Sequence, residues 1–135
     1  MAKESGLGWT TFSVDDASGS ARDIRTDCTN LDWSMPRGVQ DITGIDKSAI
    51  ERLLLLADFS GNVNGVFDDG TNLAHTVLKT VSSTSVNRTI SIGISGQTLA
   101  NECIITDYAM TRAASGEFTW QAPFSLSDGT VPTWS

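Results

Sequence analysis

The sequence predicts a mainly β protein: an antiparallel β-sandwich or partial barrel with one flanking α-helix and a long ordered loop. Several short stretches alternate apolar and polar residues with a period of two, the pattern of a half-buried strand. Clusters rich in Gly, Ser and Thr separate these stretches, as turns do. Only one segment places its apolar residues at helical spacing. The length of 135 residues suits one domain, which we place at residues 1–135.

The N-terminal part of the chain is predicted to contain a strand and a hairpin. Residues 9–14 alternate and begin the sheet. Residues 21–28 and 31–35 alternate on either side of a short polar turn, which predicts a hairpin with one apolar face and one charged face.

Four consecutive leucines at residues 53–56 fit either a helix or a strand that is covered on both faces. The turn residues Ser60 to Asn62 follow at once, and they favour a hairpin. In that interpretation, residues 53–58 pair with residues 63–67.

Residues 36–50 are predicted to form a long ordered loop. The segment contains one proline and two glycines, which are typical of a connection between strands. Val39, Ile42 and Ile45 give the loop apolar groups to bury, so disorder is disfavoured. Loops of this length inside a compact domain are usually functional.

The helix is predicted over residues 67–81. Asp69 or Thr71 is placed to cap its first turn. One side of the helix is apolar, and it consists of Leu73, Val77, Leu78 and Val81.

Three strands are predicted after the helix, at residues 86–95, 103–111 and 118–124. Residues 126–135 are expected to form an extended C-terminal arm. Because the arm contains Trp134, it is expected to dock on another surface.

The strand at residues 86–95 has an unusual second face. Opposite its three isoleucines it carries only small, uncharged groups, which are Thr89, Ser91, Gly93 and Ser95. A strand that faces open water usually carries charges, whereas protein interfaces are depleted in them. The pattern therefore indicates a β protein that associates with copies of itself.

Catalytic, metal-binding and cofactor-binding patterns are missing from the sequence. His75 is the only histidine, and no GxSxG motif accompanies it. The paired acids at residues 15–16 and 68–69 precede turn residues, which explains them without a metal. Cys28 and Cys103 form no CxxC motif, so free thiols are expected and a disulfide is unsupported. We therefore predict that the protein is not an enzyme and has no cofactor or metal.

The composition restricts the partners of the protein. The formal net charge is −7 and the pI is about 4.4, which disfavours tight binding of nucleic acid. The longest apolar run, residues 53–57, is far shorter than the roughly 20 residues of a membrane-spanning helix.

Three segments of the chain are distinctive, which are PRGVQDITGIDKSA, ERLLLLAD and the final TVPTW. These segments and long stretches around them resemble the major tail tube protein of long-tailed, siphovirus-like bacteriophages. The resemblance extends from about Gly8 to Trp134 and so covers nearly the whole chain.

The resemblance implies a structural virion protein that is assembled in the host cytoplasm. Six copies would form a ring, with their inner sheets joined into one barrel around a lumen. Rings would stack into the tail tube, which conducts genome DNA to the host without binding it specifically. The implied partners are further copies of the chain and the tape-measure, tail-terminator and baseplate or tip proteins.

Two sets of residues are candidates for these roles. We expect contacts between subunits or rings from Val39, Ile42, Ile45 and Trp134. A lumen that repels DNA needs acidic and small polar groups, and the candidates are Asp23, Asp27, Asp32, Thr89, Ser91, Ser95 and Asp107.

Two alternatives remain open at this point. The chain is also compatible with the tube of a contractile injection system, in which the same ring lies inside a sheath. A monomeric carbohydrate-binding β-sandwich is the other alternative, because the four tryptophans are able to form a sugar platform.

Overall fold

The computed structural model of the protein describes residues 5–135, which form ten strands and one short helix. The helix α1 spans Ala74–Leu78, and short 3-10 turns lie at Gly6–Gly8 and Arg25–Asp27. In chain order, the strands are β1 (Trp9–Asp15), β2 (Ala21–Asp23), β3 (Cys28–Ser34), β4 (Arg37–Asp41), β5 (Arg52–Ala57), β6 (Ser60–Val66), β7 (Arg88–Ile94), β8 (Gln97–Ile105), β9 (Ala109–Arg112) and β10 (Phe118–Leu126).

Eight of these strands form one antiparallel sheet in the order β2-β1-β7-β8-β10-β6-β3, with β9 beside β10. Strand β10 makes the corner of the sheet, because its C-terminal part pairs with β8 and its N-terminal part pairs with β9. We call β2, β1, β7 and β8 the first half-sheet, and β9, β10, β6 and β3 the second half-sheet. The remaining strands, β4 and β5, pair with each other alone.

The two half-sheets face each other across one hydrophobic core. Trp33 of β3 packs on Trp134, with ring centroids 6.4 Å apart, and the backbone of Trp134 bridges Leu99 of β8. Strand β3, at one end of the sheet, therefore approaches β8 of the first half-sheet through Trp134, although the described residues form no closed barrel. The fully buried side chains come from both half-sheets and from α1, and they include Phe12, Ile90, Ile92, Leu99, Phe124, Val77 and Leu78. The predicted mainly β sandwich with one helix is confirmed.

Arg88 ties α1 to the first half-sheet. Its buried guanidinium donates to the carbonyl oxygens of Asp15 and Val77, each at 2.9 Å, and to the Thr80 hydroxyl at 3.0 Å. A buried charge costs free energy unless its donors are satisfied, so these bonds fix the end of the helix against β1.

Two predicted strand pairings are wrong. Strand β2 pairs with β1, and β3 pairs with β6, so residues 21–28 and 31–35 form no hairpin. Likewise β5 pairs with β4, whereas β6 pairs with β3 and β10. An alternating pattern specifies which face of a strand is buried, but it leaves the partner strand open.

The leucine run and the preceding loop also differ from their predictions. Residues Leu53 to Leu56 form an exposed strand instead of a buried one. Part of the predicted loop at residues 36–50 is strand β4, and the tip of the resulting hairpin comprises residues 42–51.

The helix is shorter than predicted. It begins after Leu73, which provides no side-chain cap. Neither Asp69 nor Thr71 caps it; instead the Asp27 carboxylate accepts the Ala74 N–H at 3.1 Å. Residues before the helix form a turn in which Asp68 accepts the Gly70 N–H and Asn72 has a φ of 62°. A helix of this length is stabilised by packing and by this buried cap more than by its own propensity.

Candidate assembly surfaces

The hairpin of β4, residues 42–51 and β5 is an uncovered apolar element, which we call the hairpin arm. Its strands make their extensive contacts only with each other among the described residues. Val39 lies opposite Leu54 on one face, and Leu53 and Leu55 lie on the other. All four are exposed, and Leu56 is 89% exposed. Both faces of the arm are therefore apolar and unburied.

The backbone of the hairpin arm is nevertheless ordered. The Ile42 N–H donates to the Glu51 carbonyl at 3.0 Å, and the Arg37 guanidinium donates to the Leu55 carbonyl at 2.8 Å. At the tip, the Thr43 hydroxyl donates to Asp41 at 2.6 Å. A two-stranded hairpin is only marginally stable in water without further packing. The arm therefore presents an ordered surface with exposed apolar side chains on both faces.

The outward face of the second half-sheet is polar and has almost no charge. The strand register places its side chains in cross-strand rows, such as Asp32, Asn62 and Pro123, or Asn30, Asn64 and Gln121. We call this surface the polar face, and it consists of Asn30, Asp32, Ser34, Ser60, Asn62, Asn64, Val66, Ala109, Thr111, Thr119, Gln121, Pro123 and Ser125. It holds one acid and no lysine or arginine.

The second half-sheet has two free edges within residues 5–135. Strand β3 has a neighbour only in β6, and β9 has a neighbour only in β10. All four residues of β9 are exposed. Free strand edges present backbone N–H and C=O groups that pair readily with another chain. Because both ends of the same four strands are open, one copy is able to extend the sheet of the next.

The structure places the candidate lumen residues in several different parts of the subunit. Asp32 lies on the polar face, and the exposed Asp107 precedes β9. Asp23, Thr89 and Ser91 lie on the outward face of the first half-sheet, where Asp23 and Ser91 both pair with Ser13 of β1. Ser95 follows in the turn after β7 and has a φ of 48°.

Asp27 is removed from the lumen candidates, because it is buried beneath α1 and only 5% exposed. Burial raises the pKa of its carboxyl, and the nearby Asp68 raises it further, while the Ala74 N–H acts in the opposite direction. Its predicted strand is in fact a 3-10 turn that directs the side chain inward.

Replacing Asp27 by Asn is expected to raise the melting temperature at pH 8 by several degrees and to have little effect at pH 4. Because the pKa of Asp27 is raised in the folded state, its contribution to the stability of the wild-type protein is complete below the unfolded pKa of about 3.9. That contribution is lost as the pH rises through the folded-state pKa. Asparagine keeps an acceptor for the Ala74 N–H and cannot ionise. Thermal denaturation at both pH values measures the effect; an equal loss of stability at both would contradict it.

Trp134 contacts its own subunit. Besides packing on Trp33, the end of the arm is fixed by two bonds of 2.9 Å between the backbones of Ser135 and Thr98. The ring remains partly exposed. A contact with a second subunit therefore stays a prediction for the uncovered part of the ring.

The remaining tryptophans also pack within the molecule. Trp120 is 2% exposed, and Trp9 meets Phe12 edge to face with ring centroids 6.0 Å apart. With Trp33 and Trp134 in contact, the four rings do not form the open planar platform that sugar binding uses.

The histidine and the two cysteines are held by contacts within the subunit. His75 bonds the Tyr108 hydroxyl at 3.1 Å and packs on Phe67. Cys28 and Cys103 are free, and burial raises the pKa of each thiol to about 12. Within residues 5–135, no group of three or more His, Cys, Asp or Glu side chains is placed to hold a metal ion. No helix in these residues is long and apolar enough to cross a membrane.

Sequence reasoning missed most of the polar face. Asn62 and Asn64 flank the buried Val63, and Asn62 donates to Asn64 at 3.2 Å. Their alternation with Val63 was an available signal for a strand with an uncharged outer face. The single strand predicted at residues 103–111 is wrong, because residues 103–105 end β8 and residues 109–112 form β9, which pairs with β10.

An apolar arm and two open sheet edges are typical of a subunit that assembles with others. No family model matches the chain, and no curated protein matches it. Among solved structures, a chain from the tail of an empty gene transfer agent (GTA) particle, refined with helical and C6 symmetry, is similar with a TM-score of 0.74 and 17% identity over 98% of each chain. A chain from the virion of a native GTA particle is similar with a TM-score of 0.77 and 15% identity, over 97% of this chain and 99% of that one. The protein therefore has the fold of these GTA particle subunits, and the resemblance to tail proteins is confirmed at the level of the fold.

Proposed function

We propose that the protein is the structural subunit of a phage-like tail tube, in which rings of six copies stack around a channel that conducts DNA. The observation that carries the proposal is the hairpin arm, whose two apolar faces are exposed and make no extensive contact with the other elements formed by residues 5–135. The similarity to a chain in a GTA tail supports the choice of assembly. The proposed partners are a tape-measure protein in the channel and, at the two ends of the tube, a terminator protein and a baseplate or tip protein.

The ring closes through the second half-sheet. The free edge of β3 in one copy pairs with the free edge of β9 in the next, so that four strands from each copy join one continuous barrel. Closing the barrel pairs both open edges of the second half-sheet in every copy. Barrels of 16 to 18 strands already leave an aqueous channel, so a barrel from six copies is wide and open.

The polar face lines this channel. DNA carries about one negative charge per 1.7 Å of its axis, and proteins bind it by neutralising phosphates with lysine and arginine. The polar face has neither residue, and its Asp32 repels phosphate. The exposed Asp107, which precedes β9, adds a second acid from each copy. The DNA therefore slides past small hydroxyl and amide groups without being held.

The hairpin arm joins neighbouring copies and rings. Because both of its faces are apolar, it is suited to insertion between two surfaces instead of lying on one. One face packs on the adjacent copy in the same ring, and the other packs on the adjacent ring. Ile42 and Ile45 at the tip, with Val39 in β4, supply these contacts.

Cysteine labelling tests which face lines the channel. Asn62→Cys places a thiol on the polar face, and Ser91→Cys places one on the outward face of the first half-sheet. Cys103 is buried and Cys28 is half-buried, and burial raises the pKa of each thiol to about 12, so both react slowly with maleimide. We expect a large polymer-linked maleimide to label both variants as free subunits, and only the Ser91→Cys variant in tubes.

The opposite labelling pattern would contradict this assignment of the channel wall. Tubes in which Asn62→Cys reacts freely while Ser91→Cys is protected would place the first half-sheet around the lumen. If the tube belongs to a contractile system, the same ring and the same labelling are expected. Binding of a sheath protein to the tube would distinguish the contractile system from a tail without a sheath.

A further inference from the structure

A slot lies beside β8, where the C-terminal arm leaves the sheet and returns. The Ser127 N–H donates to the Glu102 carbonyl at 3.0 Å, and the backbones of Ser135 and Thr98 exchange two bonds of 2.9 Å. Between these two attachments the arm bows away from β8. The space has a volume of about 350 Å³, and the residues that line it include Thr89, Ala100, Glu102, Asp128, Thr130 and Val131.

The backbone of β8 is open to this slot. Both backbone groups of Thr98 and the carbonyl of Glu102 are directed at the arm. Residues two apart on an antiparallel strand direct their backbone groups to the same side, so the N–H and C=O of Ala100 point into the slot. None of the described arm residues bonds to them. A short extended segment is able to pair there as an added strand.

The side chains of the slot specify the chemistry of its occupant. The Asp128 carboxylate accepts the N–H and hydroxyl of Thr130, and Glu102 accepts the Thr89 hydroxyl at 2.9 Å. Among the described residues, neither carboxylate forms an ion pair with a lysine or arginine. The slot therefore presents two carboxylates and lacks a cation.

We propose that the tip of the hairpin arm of a second copy, residues 45–50, docks over this slot and inserts its Lys47 side chain, which faces Asp128 and Glu102. The proposal rests on the proposed tube and names a receptor for the arm. Ile45 is fully exposed and meets the exposed Val131, while the Lys47 side chain is 48% exposed. The Lys47 Nζ lies 3.8 Å from the carboxylate of Asp46, which is a long distance for an ion pair, and the Asp46 side chain is highly exposed.

Other basic side chains are less suited to the slot. Arg22 pairs with Asp16, Arg37 bonds the Leu55 carbonyl, and Arg88 is buried. Lys47 is the basic residue carried at the tip of the one element that makes no extensive contact with its own subunit among the described residues.

A charge exchange tests this contact. We expect Lys47→Glu and Asp128→Lys each to reduce the amount of sedimented tube at least tenfold, and the double variant to restore most of it. Lys79→Glu, which alters an exposed lysine after α1, is the matched control and should assemble as the wild type does. Circular dichroism and thermal denaturation establish that each subunit is folded before assembly is compared.

The possible failures are distinguishable. If the wild-type protein forms no tubes, both the tube and this contact are overturned. If Lys47→Glu assembles normally, or if the double variant is no better than the single variants, the tube stands and the contact between Lys47 and Asp128 is overturned.

Discussion

Replacing Ile42 and Ile45 together by aspartate is expected to abolish tube formation and to leave a folded subunit. Both side chains are exposed at the tip of the hairpin arm and make no part of the core. Full burial of an isoleucine contributes about 1.5–3 kcal/mol, so losing two at each contact weakens association by on the order of 100-fold or more. Placing two charges in an apolar interface adds a desolvation cost.

The measurement is sedimentation and electron microscopy of the assembled protein, with thermal denaturation of the free subunit. Ser82→Asp with Ser85→Asp is a matched control, because it adds the same charge at two exposed loop positions outside the arm. Intact tubes from the arm variant, or equal loss of tubes in the control, would show that the arm tip is not an assembly contact.

Replacing Gly65 by alanine is expected to destabilise the subunit by about 3 kcal/mol or more. A Cβ atom at this position would lie 2.5 Å from the Trp120 ring and even closer to the carbonyl oxygen of Asp27. The backbone on one side and a fully packed ring on the other leave little room to relax, and overpacking of this kind costs about 1–3 kcal/mol or more. Because Asp27 also caps α1, the strain reaches the helix.

Gly6→Ala is the control for this substitution, since no atom lies within 4 Å of the added methyl group at that position. Chemical denaturation of both variants measures the difference in the free energy of unfolding. A Gly65→Ala variant as stable as Gly6→Ala would contradict the close packing of β6 against Trp120.

The elements that sequence patterns predicted well are those in which alternation alone decides the structure. In β7, Ile90 and Ile92 are fully buried while Thr89 and Ser91 face outward, as expected. A different pattern failed at residues 53–56, because consecutive leucines predict burial and the described subunit alone does not bury them. Their exposure agrees with the proposed assembly, in which another copy of the chain covers them.

Tertiary contacts explain the other differences. Asp27 was read as one position in an alternating strand, but its burial depends on α1, which lies 47 residues later in the chain. The polar face depends on the pairing of β6 with both β3 and β10, and strand pairings over such distances are not encoded in any local pattern. The sequence therefore indicated that apolar and uncharged surfaces exist, but it did not indicate where in the fold they lie.

The most direct test of the tube is a high-resolution electron microscopy reconstruction of the purified protein assembled at high concentration. We expect stacked rings of six copies, a central channel lined by β9, β10, β6 and β3, and hairpin arms inserted between neighbouring copies. A filament without a channel, or a channel walled by another part of the subunit with the arms exposed to solvent, would contradict it.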